Sequence, residues 1–224
     1  MASTVTLRLW IMLSKTQLTF FYEITKERFP GKKRFLMGES MGGAICYQNY
    51  NRNPSRWNGI VFVAPMCKVS DNMLPPDWVI NLLLRLMGPA GTETILGYLP
   101  LTPSKGDISL LSHRLDEKRQ MAITVPFVYG RVPRLNTARE ILLMTKRITS
   151  SISDFDAPFL VVHGKDDKVT CPKLSQALYD ESKSKDKEIK LYEGKDNSAP
   201  YVFVWLHTAD YCNTNTYLNQ LFIC

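Results

Sequence analysis

"FLMGESMGGA", residues 35–44, decides the fold. Three apolar residues, Phe35, Leu36 and Met37, run into Gly38. Ser40 then stands between Glu39 and Met41, and Gly42, Gly43 and Ala44 follow. The stretch fits G-x-S-x-G, placed between a short apolar strand and a helix that opens on small residues. Such a turn is tight and strained, and it pushes a serine hydroxyl into the open at the carboxyl end of a strand. Gly38 and Gly42 are expected to make room where a Cβ would collide with neighbouring backbone. The helix N-terminus behind Ser40 favours developing negative charge, and the N–H of Met41 can donate to an oxyanion. The plainer reading is a Gly-rich turn with an incidental serine. The strand before the motif and the helix after it select the nucleophile.

The flanking sequence supports a sheet around this turn. Upstream, "KTQLTFFYEITKERF" (15–29) places Leu18, Phe21, Ile24 and Phe29 at near-helical spacing, and Pro30-Gly31 stops that helix. Downstream, "GIVFVAP" (59–65) and "APFLVVHG" (157–164) are β-branched apolar runs of the kind buried parallel strands show. "PKLSQALYDES" reads as a helix with proline at its start, and "KEIKLYEG" (187–194) as a further strand. Strands alternating with helices imply a parallel α/β sheet. Between Met66 and Asp156 the pattern breaks into apolar segments rich in Pro and Gly, which predicts an insertion over one end of the sheet. Trp78, Val79, Leu82, Leu83 and Leu86 share one helical face there. Two readings of that face stand: a lid that meets lipid or an acyl chain, and a surface that packs on the sheet. Past Gly194 no amphipathic helix is visible, and the tail is expected to be irregular.

A serine nucleophile needs a base, and the base needs an orienting carboxylate. In this architecture the chain order is Ser, Asp, His. "VVHGKDDKVT" offers Asp166 and Asp167 just after a strand. The histidines are His113, His163 and His207. His163 closes a strand before Gly164, His113 lies in the insertion, and His207 follows both aspartates in the right order. A surface histidine on the tail is the plainer reading of His207.

Composition narrows the classes. With 45% apolar and 22% charged residues, the chain can build a sizeable core and is not generally disordered. The net charge of +7 is spread along the sequence, clustering only at Lys32, Lys33 and Arg34. No stripe or module for nucleic acid is present. Attraction to anionic membrane surfaces stays open. The cysteines, Cys46, Cys67, Cys171, Cys212 and Cys224, are odd in number and form no CxxC pair, so neither a disulfide framework nor a zinc site is indicated. "LRLWIML" is too short for a membrane span and lacks a basic flank, so no signal peptide or transmembrane helix is read. A cytoplasmic protein, peripheral to membranes at most, is the expectation. The oligomeric state is not legible.

The segments "FLMGESMGGA", "VFVAPMCKVSDNMLPP", "VPRLNTARE", "PFLVVHGKDDKVT" and "SQALYDESKSKDKEIKLYEG" resemble the monoacylglycerol lipase and lysophospholipase branch of the α/β-hydrolases, particularly the plant form that includes caffeoylshikimate esterases. The resemblance spans residues 15 to 194. It implies an α/β-hydrolase fold, a mostly parallel sheet with helices on both faces and an inserted cap at 67–155, within one partial domain over 1–224. It implies hydrolysis of a carboxylic ester of a small lipophilic substrate, a monoacylglycerol or a related ester, without metal or organic cofactor. The family's acid, in G-x-x-D-x-V, lands on Asp167. Its oxyanion donor after the nucleophile lands on Met41, and a substrate-facing lid lands on Trp78, Leu82 and Leu86.

Two departures qualify this. Nothing upstream of Lys15 matches the early strands and the His-Gly loop of the family. The family's catalytic His falls at Asn197, and the tail at 195–224 is unmatched, so the sequence reads as a member incomplete at both ends. Two function classes follow: a serine esterase of lipid metabolism, with His207 as substitute base, and a catalytically inactive α/β-hydrolase-fold fragment lacking the family His.

Overall fold

The computed structural model describes residues 19–67, 76–87, 120, 124, 135–167, 170–193 and 220–223. Residues 19–28 form helix α1, followed by a turn in which Gly31 takes φ +76°. Strand β1 (Lys33–Glu39) leads through Ser40 into helix α2 (Met41–Arg52). Strand β2 (Gly59–Val63), helix α3 (Asp77–Met87), helix α4 (Leu135–Ser151), strand β3 (Phe159–Gly164), helix α5 (Pro172–Glu181) and strand β4 (Lys187–Tyr192) come next. A short strand, β5 (Gln220–Ile223), is the last described element.

The five strands form one sheet in the order β4-β3-β2-β1-β5, and every neighbouring pair is parallel. All five residues of β2 are buried, as the middle strand of a sheet covered on both faces requires. Alternation along the strands divides the core. Leu36, Ile60, Phe62, Phe159 and Val161 face one way, where α2, α4 and α5 pack through Ala44, Tyr47, Met144, Ile148 and Leu178. Val61, Val63 and Val162 face the other way, with Met37, Leu160 and Tyr192 against them.

Phe155 sits at the centre of the larger cluster, just before β3. Tyr47 stacks on its ring at 4.3 Å between centroids, and Tyr50 and Phe159 both approach it at 5.8 Å. These aromatic contacts join α2 to the sheet, with a gain of about 1 kcal/mol each beyond the area they bury.

Three expectations are revised here. Helix α4 falls within the span expected as an inserted cap, yet it lies beside α2, with Met144 and Ile148 buried in the larger core cluster. The tail expected to be irregular contributes β5, with Lys33 opposite Gln220 and Leu36 opposite Ile223. The unpaired edge of β1 explains this: Leu221, Phe222 and Ile223 suit a strand, and parallel pairing satisfies backbone groups that would otherwise face solvent. On α1, Tyr22 packs against the core and Thr25 is buried, whereas Phe21 is exposed. The Tyr22 ring lies against Trp57 and carries the guanidiniums of Arg34 and Arg56 on its faces, while Phe20 and Phe29 are exposed as well.

Candidate active site

The strand-to-helix turn at Ser40 is strained. Ser40 has φ 50° and ψ −117°, a region that residues with a side chain rarely occupy. The turn is held from outside: Ser40 N–H donates to the carbonyl of Val63, and its own carbonyl accepts from Gly43 and Met66. Ala64, at the end of β2, also lies at positive φ, 42°. The strained residue after β1 is thus hydrogen-bonded to Val63 and Met66, which flank the strained bend after β2.

The glycines divide differently from expectation. A Cβ on Gly38 would lie 2.4 Å from the backbone of Gly42, so only glycine fits there. A Cβ on Gly42 meets nothing, whereas one on Gly43 would press on Pro65 at 2.8 Å. The second crowded position is thus Gly43, because α2 leans its first turn on the Ala64-Pro65 bend.

Ser40 and Met41 are both half-buried at the start of α2, where backbone N–H groups have no partner within the helix. The acidic pair after β3 separates cleanly. Asp166 is exposed, and Asp167 is buried. Asp167 Oδ1 accepts the backbone N–H of Thr170 at 3.1 Å, and Oδ2 accepts the Thr170 hydroxyl at 2.6 Å. His163 Nε2 lies 3.2 Å from the same Oδ2. Asp167 acts on Glu39, the residue before Ser40, so its carboxylate lies within electrostatic reach of the Ser40 turn. Burial, reinforced by the Asp167 charge, raises the Glu39 carboxyl from 4.5 to about 7. Cys67 lies one residue beyond Met66; burial pushes its thiol up to about 12, which keeps it protonated and unreactive.

The remaining candidates are distributed as follows. On α3, Trp78 and Leu82 are exposed while Ile80 is buried, so the helix turns apolar side chains both inward and outward. Leu86 lies on α3, and its side chain is outside the described residues. Asn197, His207 and His113 lie outside the described residues altogether. Sequence reasoning overlooked Glu39, Thr170 and Ser175. Thr170 carried a signal: an aspartate three residues before a threonine is a pattern in which the carboxylate captures the later N–H.

A strained serine between a parallel strand and a helix, with a buried aspartate beyond a later strand, matches a known family model over residues 16–195, described as Hydrolase_4, serine aminopeptidase, S33. The chain belongs to this family. Among characterised relatives, caffeoylshikimate esterase of Arabidopsis thaliana is 29% identical over 83% of the chain and 54% of its own length. Human monoglyceride lipase is 26% identical over 74% of the chain and 52% of its own length. The chain thus spans about half the length of these two family members. In fold it is similar to the monoacylglycerol lipase of Paleococcus ferrophilus (TM-score 0.69, 23% identity, 89% of this chain and 73% of that one). It is also similar to a soluble variant of Saccharomyces cerevisiae monoglyceride lipase solved with a substrate analogue (TM-score 0.71, 18% identity, 92% of this chain and 69% of that one). The chain therefore has an α/β-hydrolase fold, and its sequence is similar to monoglyceride lipases and a caffeoylshikimate esterase. Among the described residues, no helix is long and apolar enough to cross a membrane.

Proposed function

We propose that this chain hydrolyses a carboxylic ester of a lipophilic substrate, a monoacylglycerol or a similar ester, with Ser40 as nucleophile. The observation that carries the reading is the positive φ of Ser40 between β1 and α2, a strained geometry that presents a side chain at a strand's end. Ser40 Oγ attacks the carbonyl carbon, its proton passes to an imidazole base, and the N–H of Met41 faces the developing oxyanion. Asp167 orients the base. Trp78 and Leu82, large apolar side chains exposed on α3, suit contact with an apolar chain. The names of the monoglyceride lipase relatives favour an ester hydrolase over an inactive fragment.

Among the described residues the one histidine is His163, sealed against Asp167 and Ser175 and so unable to reach a substrate. His207 follows Asp167 in the family's order, and the experiment turns on it. Hydrolysis of a p-nitrophenyl ester and of a monoacylglycerol is measured for the chain, Ser40→Ala and His207→Ala. In a well-studied serine protease, loss of the serine or the histidine lowers turnover about a million-fold. Turnover that vanishes in both variants is the expected result. Retention in His207→Ala would reject that base alone. Retention in Ser40→Ala, or no turnover in the parent, would reject the hydrolase reading.

A further inference from the structure

The end of β3 holds a buried polar cluster of which ester hydrolysis as described uses only Asp167. His163 has no exposed surface, and neither does Ser175 on the first turn of α5. His163 Nδ1 lies 2.7 Å from Ser175 Oγ, and Nε2 lies 3.2 Å from Asp167 Oδ2 and 3.3 Å from Thr170 Oγ1. These partners dictate where the protons sit. An ionised carboxylate only accepts, so Nε2 carries the hydrogen. In a neutral ring Nδ1 then only accepts, and the Ser175 hydroxyl must donate to it. The Thr170 hydroxyl spends its hydrogen on Oδ2 and offers a lone pair toward Nε2.

We propose that His163 is a positioning residue for Asp167: a neutral imidazole that donates from Nε2 to Oδ2 and is latched at Nδ1 by the Ser175 hydroxyl of α5. The acid is thereby tied to a helix as well as to its own turn. The proposal rests on the reading of Asp167 as the orienting acid, and it assigns the histidine that the hydrolase chemistry leaves over. A merely space-filling ring would be replaceable by any side chain of similar size.

The test uses the full chain labelled with nitrogen-15 in histidine, where His163→Gln identifies the ring among three histidines. Its spectrum should show a neutral ring protonated at Nε2, and Ser175→Ala should move the Nδ1 signal. In parallel, the rate at which Ser40 is labelled by a fluorophosphonate is compared between the parent, His163→Leu and His163→Gln. Leucine fills the space without a donor, and labelling should slow roughly ten-fold, the value of one hydrogen bond to a charged group. Glutamine carries an amide N–H and should recover most of the rate. Should His163→Leu fail to fold, Ser175→Ala replaces it, with a smaller slowing expected. A ring protonated at Nδ1, or His163→Leu labelling as fast as the parent, would overturn the proposal. A parent chain that never labels would overturn the hydrolase reading alone. The ring's tautomer and its response to Ser175→Ala would then still decide this inference.

Discussion

Gly38 and Gly42 look alike in the motif, and the structure separates them. A methyl group at 38 would overlap backbone atoms that have nowhere to go, whereas one at 42 enters open space. Gly38→Ala is expected to destabilise the chain by about 3 kcal/mol, and Gly42→Ala to stay within about 1 kcal/mol of the parent, read as urea midpoints. The motif announced a tight turn but not which glycine bears the crowding, because that depends on the angle at which α2 leaves β1. Asp167 was legible from its spacing after a strand. Glu39 was not, because its carboxyl owes its environment first to burial and then to Asp167, more than a hundred residues later in sequence. It yields a prediction in pH. Burial and Asp167 raise Glu39 to about 7, while in the unfolded chain it titrates near 4.5. Between those values the native state holds the extra proton, so stability falls as pH rises and the loss is complete above about 7. Glu39→Gln should remove that slope. Urea midpoints at pH 5 and pH 8 check it: the variant should gain on the parent at pH 8, and an equal difference at both would contradict the assignment.

At the scale of elements, β1 to β4 were readable because each is an apolar run bounded by Gly, Pro or polar residues. The order in which they pair was implied only as far as parallel sheets imply it. Helix α4 was hidden in a segment whose neighbours lack clear periodicity, and its inward residues, Met144 and Ile148, are separated by one turn. The joint between α4 and β3 depends on Phe155, which touches Tyr47, Tyr50, Phe62 and Phe159. Phe155→Ala should cost about 4 kcal/mol, because the cavity is bounded by a helix and a sheet that cannot both collapse into it. Thermal unfolding followed by circular dichroism reads the loss. A fall in midpoint of only one or two degrees would show that the rings repack.

At the scale of the molecule, the sheet closes through a strand that no local pattern announced. Four residues are too few for periodicity to register, and only the vacant edge of β1 gives them a role. Deleting residues 220–224 should unpair Lys33–Leu36, lower the stability read by urea unfolding by about 1–2 kcal/mol and raise the fraction of associated species seen by light scattering. A truncated chain that stays monomeric with an unchanged midpoint would show that β1 needs no such cover.

The pairing of β1 with β5 also sets a clock on biosynthesis. Gln220 is made roughly 190 residues after Lys33, and at about 5–20 residues per second this delay is about 10–40 seconds. Throughout that interval β1 and the serine turn at its end emerge before the strand that borders them. The nascent sheet can grow toward β4 as β2, β3 and β4 emerge, while its opposite side waits for β5. Synonymous changes that slow translation between the codons for β4 and β5 would lengthen that exposure without altering a single residue of the protein.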